Sequence, residues 1–159
     1  MNTIVKGGLL IGILCAAWTF IMGFTGWYKD PSMMMAFYVV ILLQLVVLVW
    51  GLKQTAAQGK TYGGQVGAGT LMSLVGGVII ILSSLLFTMV VFPDYFAELR
   101  TVQAEILKAS GKSDAAIAAE VEMAAPFQTP WIQALMGFIG TIFTGVIGSL
   151  IIGAFYRKK

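Results

Sequence analysis

The stretch Thr61–Pro93, TYGGQVGAGTLMSLVGGVIIILSSLLFTMVVFP, carries no charged side chain from end to end. About 20 apolar residues in a helix cross a hydrocarbon core of about 30 Å, so this stretch can span a bilayer with residues to spare. Gly7–Tyr28, Pro31–Leu52 and Met123–Tyr156 are also uncharged, and Leu, Ile, Val, Phe, Ala, Gly and Met dominate all of them. Together they take up most of the 159 residues. The pattern predicts an all-α fold, a polytopic membrane protein built as a four-transmembrane-helix bundle. The expected spans are about 4–27, 33–52, 66–92 and 131–155, in a single membrane domain over residues 1–159. With 58% hydrophobic and 11% charged residues, the chain is too apolar for an ordinary soluble domain.

The placement of charge says more than its net value of +3. Lys6 precedes the first span, Lys53 and Lys60 separate the second from the third, and Arg157, Lys158 and Lys159 follow the fourth, with no acid among them. The other two connections hold all seven acids: Asp30, Asp94, Glu98, Glu105, Asp114, Glu120 and Glu122. Basic residues in short loops favour the cytoplasmic side, so both termini and the second connection are expected in the cytoplasm. The third connection, residues 94–129, is then extracytoplasmic. Three basic residues beside a helix are the ordinary flank of a span, and no nucleic-acid partner is expected.

That third connection reads as an amphipathic helical hairpin. Tyr95 or Phe96, Leu99, Val102 and Ile106 recur at three- and four-residue steps, one face of a helix. Gly111 suits its C-terminus, and Ser113 can cap a second short helix through Ala124.

Several function classes fare badly. Pumps and proton relays keep a carboxylate, a His or a basic group inside the membrane, and these spans hold none. The chain has no His, and its one cysteine, Cys15, lies within the first apolar run. It therefore offers no imidazole base, no thiol with a partner and no zinc set, and is read as not an enzyme, with no catalytic residue, cofactor or metal. Asp94 and Glu98 are one turn apart but supply too few oxygens for a hard cation. Met33, Met34 and Met35 point in different directions around a helix and do not converge on a soft metal. Gly63–Gly69 invites a nucleotide reading, yet lacks the Gly-Lys-Ser/Thr ending of a phosphate loop, and Met72 stands where a third dinucleotide glycine belongs. A flexible, interfacial start to the third span is the expected role of those glycines.

The clearest local pattern is a set of small residues. In the fourth span Gly137, Thr141, Gly145, Ser149 and Gly153 follow at four-residue spacing. Gly69, Ser73 and Gly77 match them in the third span, and Gly8 and Gly12 in the first. Residues four apart share a helix face, and small ones let another backbone approach closely. These residues are expected to pack helices together, within one chain or between copies. Span two has no glycine before Gly51 and is expected to face lipid along much of its surface. Gln44 is the most polar side chain at mid-membrane depth, and its amide needs a partner there.

The order of features resembles a bacterial membrane family, domain-of-unknown-function family 4199. The likeness rests on Thr61-Tyr62-Gly63-Gly64-Gln65 leading into Gly69-Thr70-Leu71-Met72-Ser73-Leu74. It rests also on Phe92-Pro93-Asp94-Tyr95-Phe96, the acidic hairpin, Thr129-Pro130, and a last span ending Gly148-Ser149-Leu150-Ile151-Ile152 before a basic tail. The resemblance implies a four-helix bacterial inner-membrane protein and brings no activity with it. The residues themselves leave two readings open. One is a non-enzymatic accessory or interaction subunit, as a homo-oligomer or in a larger membrane complex. The other is a small channel or carrier for a neutral or lipidic solute, its path lined by Gln44, Ser83, Ser84, Thr88, Thr141 and Thr144.

Overall fold

A computed structural model describes residues 2–156, and every regular element in it is helical. The basic residues Arg157, Lys158 and Lys159 lie outside the described residues. Helix α1 (Thr3–Thr25) opens on Asn2, whose side chain accepts from the Ile4 N–H, and stops at Gly26, held at φ 73° where glycine is least strained. A 3₁₀ turn, Trp27–Lys29, leads to Pro31, and a second one, Met34–Tyr38, opens into α2 (Val39–Ala57). α3 (Tyr62–Leu86) continues as a π-helical turn, Phe87–Val91. α4 (Tyr95–Ala109) and α5 (Asp114–Ala124) follow, and α6 (Pro130–Tyr156) closes the chain. Four segments are long and apolar enough to cross a membrane: Thr3–Thr25, Met34–Ala57, Tyr62–Val91 and Pro130–Tyr156.

The hairpin elements form where capping residues ask for them. Gly111 turns the chain at φ 83°, and the Ser113 hydroxyl accepts from the Ala116 N–H to start α5. Phe96 and Val102 of α4 are buried, while Ile106, expected on the same face, is 38% exposed. The helix of the second span runs on past Leu52, because Lys53, Gln54, Ala56 and Ala57 are good helix formers and carry α2 on until Gly59 turns at φ 82°. One other expectation is corrected. The glycines from Gly63 to Gly69 are not a flexible lead-in, since Thr61 caps α3 and Gln65, Ala68 and Gly69 are buried. α2 leaves Ile41, Leu42, Val46, Val49 and Trp50 exposed, while Leu48 and Leu52 are fully buried in the core.

α3 is the central helix. It packs most extensively against α6 and then α1, while α2 bridges α1 and α6 and touches α3 less. The core gathers Ile11, Cys15, Val47, Leu48, Leu52, Ala68 and Met72, most of them towards the bundle end that carries Asn2, the Gln58–Thr61 loop and Tyr156. We call this the terminal half, and the half nearest α4 and α5 the hairpin half.

Candidate functional site

Most of the small residues singled out on α1, α3 and α6 receive a neighbour. A Cβ at Gly8 would overlap Val75 and the Met72 carbonyl, and one at Gly12 would meet Ile79 at 2.6 Å, so α1 lies hard against α3. Between α3 and α6 the fit is reciprocal: Ser149 fills the space over Gly69, and Ser73 fills the space over Gly145. Gly77 receives the Phe138 ring and Gly153 the Cβ of Gln65. The hydroxyls involved are satisfied locally. Ser149 donates to the Gly145 carbonyl, and Thr141 donates to that of Gly137 at 2.8 Å. A polar knot missed by sequence reading closes this half. Gln65, fully buried, has its amide nitrogen on Thr55 Oγ1 (2.6 Å) and the Leu52 carbonyl (3.2 Å), and its oxygen accepts from the Ala56 N–H (2.8 Å). Its position within a glycine-rich stretch hid it, although an uncharged amide there is the same signal as Gln44.

Gln44 marks the boundary between the halves. Its amide nitrogen donates to the Thr141 carbonyl on α6 (2.7 Å) and to Ser73 Oγ on α3 (3.2 Å), tying three helices at one point. The Thr141 carbonyl can only accept, so the amide cannot be turned round.

Beyond Gln44 the packing is one-sided: Gly77 still receives Phe138 and Gly23 receives Phe87 and Phe92, while the space bordered by α2 and α6 opens. A cavity of about 670 Å³ occupies the hairpin half, within the range of about 300–1,000 Å³ usual for small-molecule pockets. α1 lines it from Cys15 to Met22, α2 and its 3₁₀ turn from Met34 to Gln44, α3 through Ile80, Ser83 and Ser84, and α6 from Gln133 to Thr144. Tyr28, Tyr95 and Leu99 reach it from the hairpin end. No Asp, Glu, Lys or Arg lines it. The small residues of α6 change role here: Gly137 meets only Ile80, and a Cβ at Gly140 would meet nothing within 4 Å. Of the polar residues proposed to line a solute path, Gln44, Ser83, Ser84, Thr141 and Thr144 do line the cavity, whereas Thr88 is buried and donates to the Ser84 carbonyl. The α1–α3 side is closed by aromatic rings, with Phe20 edge-on to Phe87 and Phe87 against Phe92. On the α2 and α6 side Met35, Tyr38 and Met136, which line the cavity, are more than half exposed. Met34 and Met35 line the cavity at this rim.

A latch holds α4 over this end. Glu98 accepts from the Tyr28 hydroxyl through one oxygen and pairs with Lys29 (2.6 Å) through the other. Both oxygens of Glu98 are thus engaged. The ion pair, and after it the tyrosine bond, hold the Glu98 carboxyl below its ordinary value. Lys29 is raised chiefly by Glu98, and burial, then Glu98, pushes Tyr28 up to about 12. Further along α4, Arg100 donates to Gln128, which donates to Gln103 (2.9 Å), binding α4 to the return into α6.

With this arrangement in view, the chain can be set beside known proteins. The family described as "Protein of unknown function (DUF4199)" matches residues 6–158, nearly the whole length. The chain belongs to that family. No curated protein and no solved structure gives a significant match. Membership of DUF4199 therefore brings no activity to these residues, and the cavity has to be read from its own chemistry.

Proposed function

We propose that the protein is a membrane-embedded binding protein or carrier for a neutral, lipid-soluble molecule. It acts without catalysing a reaction, in a bacterial cytoplasmic membrane, with both termini and the Gln58–Thr61 loop cytoplasmic and the hairpin outside. The observation that carries this reading is the cavity of about 670 Å³ in the hairpin half, lined without one charged side chain. A charged solute would leave water there and find no counter-charge, which is costly. An apolar molecule already dissolved in the bilayer pays no such cost, and the opening bordered by α2 and α6 gives it a lateral way in. The orientation draws support from Lys6, Lys53 and Lys60 at the terminal end.

The alternative is an accessory subunit, as a homo-oligomer or within a larger complex. It drew on small-residue rows free to receive a second chain, and Gly8, Gly12, Gly69, Gly145 and Gly153 already receive side chains of their own chain. The geometry therefore favours the solute reading. Mass spectrometry of protein purified from native membranes, comparing wild type with Gly140→Phe, tests the two together. The expected result is a neutral lipid held in stoichiometric amount by the wild type and lost from the variant, whose new ring fills open space. Equal lipid in both proteins would defeat the proposal, and a stoichiometric partner protein with no lipid would favour the accessory role.

A further inference from the structure

The floor of the cavity carries one polar atom in an unusual state. Gln44 is 4% exposed, and both hydrogens of its amide nitrogen are committed, to Ser73 and to Thr141. Its Oε1 receives no hydrogen bond from any described residue. The oxygen is not sealed in protein either, because among the described residues no fully buried side-chain oxygen or nitrogen lacks a partner. Gln44 lines the cavity, so the free surface of Oε1 is cavity surface. An amide carbonyl left without a donor at membrane depth is unfavourable, and water is scarce there to supply one. Two hydroxyls of the same lining, Ser84 and Thr144, also have no partner among the described residues.

We propose that this site takes a neutral long-chain lipid with a terminal hydroxyl, the hydroxyl donating to Gln44 Oε1 and the chain filling the apolar cavity. The inference rests on the solute-binding reading above and adds the head group to it. A carboxylate or phosphate head is disfavoured, since Gln44 has no hydrogen left to give and no cation lines the cavity. An ammonium head would bring an unpaired charge. A plain hydrocarbon fits the walls but leaves Oε1 unsatisfied. A hydroxyl can give a proton to the carbonyl while its oxygen accepts from a lining hydroxyl such as Thr144.

The test uses the full-length protein in detergent and radiolabelled 1-hexadecanol, counting as specific only the binding lost in Gly140→Phe. Unlabelled hexadecanol, hexadecane, hexadecanoate and a diacyl phosphatidylcholine compete. Hexadecanol is expected to bind specifically and to compete about three- to tenfold better than hexadecane, the ratio expected for one net hydrogen bond. Hexadecanoate and the phospholipid should compete less well than the alcohol. In Gln44→Met the alcohol should lose its advantage while hexadecane competes as before. If hexadecane matches hexadecanol in the wild type, or hexadecanoate exceeds it, the head-group assignment is wrong although the cavity still binds. If no hexadecanol is bound specifically, the solute-binding reading itself fails. The wild-type competition series decides the matter even where Gln44→Met does not fold.

Discussion

On α6, Gly145 and Gly140 are both small residues of a single helix, yet Ser73 occupies the space over the first and nothing occupies the space over the second. The same change runs through the whole bundle. In the terminal half, Leu48, Leu52 and Met72 fill the centre, and Gln65 closes the gap between α2 and α3. In the hairpin half, α2 is replaced by the 3₁₀ turn Met34–Tyr38, whose large side chains stand at the rim and leave the centre unfilled. Its path is fixed locally. Asp30 accepts from both the backbone and the hydroxyl of Ser32, and the Trp18 indole donates to the Ala36 carbonyl at 2.8 Å. A glycine permits close approach but does not compel it; the partner helix decides whether the room is used.

The contrast predicts which substitutions hurt. Met72→Ala should be the most damaging, because Met72 is fully buried between Gly7 and Gly51. In lipid the transfer part of the loss largely vanishes. About 2 kcal/mol is expected, the low end of the range for buried Met→Ala in water. Met136→Ala, at the exposed rim, should stay within about 0.5 kcal/mol. Unfolding in mixed detergent, followed by circular dichroism, measures both. Equal losses would dissolve the distinction between the halves.

Polar substitutions give the next contrast. Gln65→Leu strips the Ala56 N–H and Thr55 of a buried partner and should cost about 1–3 kcal/mol. Gln44→Leu removes two hydrogen bonds beside an open cavity, where about 0.6 kcal/mol per bond is typical of membrane helices. A larger loss at Gln44 than at Gln65, in the same unfolding assay, would reverse this ranking.

The smallest effect concerns the latch, and it shows in pH dependence rather than global stability. Glu98 has a lowered folded-state pKa, so its contribution is complete above its ordinary 4.5 and fades as pH falls through the lowered value. Lys29 and Tyr28 are raised, so theirs is complete below the ordinary 10.5 and 10.0 and fades as pH rises through the raised values. Amide exchange in α4, corrected for intrinsic rates, should accelerate in acid for the wild type and be less pH-dependent in Glu98→Gln. Identical acid profiles would remove Glu98 from the latch.

Much of this was legible beforehand. Uncharged runs of sufficient length can be read because hydropathy sums over many residues, and Gly111 and Ser113 punctuate the hairpin through local chemistry alone. Gln44 stood out because an amide at membrane depth needs partners wherever it lies. Absence of glycine in α2 speaks only to backbone approach; Leu48 and Leu52 reach the centre through side-chain length, which the pattern does not show. The polar lining of the cavity, Gln44, Ser83, Ser84, Thr141 and Thr144, was legible as a candidate path, but the extent of the cavity was not. Its walls use the same Met, Phe, Gly and Thr as the packed half, and only the divergence of α2 from α6 separates void from contact. The π-helical turn after Leu86 left no sequence signal, since Phe87–Val91 reads as a continuing span.

The most direct measurement is the matched pair on α6, thermal unfolding of Gly140→Phe against Gly145→Ala in one detergent. The account predicts that Gly140→Phe melts at or above the wild-type temperature, its ring entering empty space, while Gly145→Ala melts lower because its methyl meets Ser73. Similar destabilisation by both substitutions would contradict it, since the hairpin half would then be as tightly filled as the terminal one.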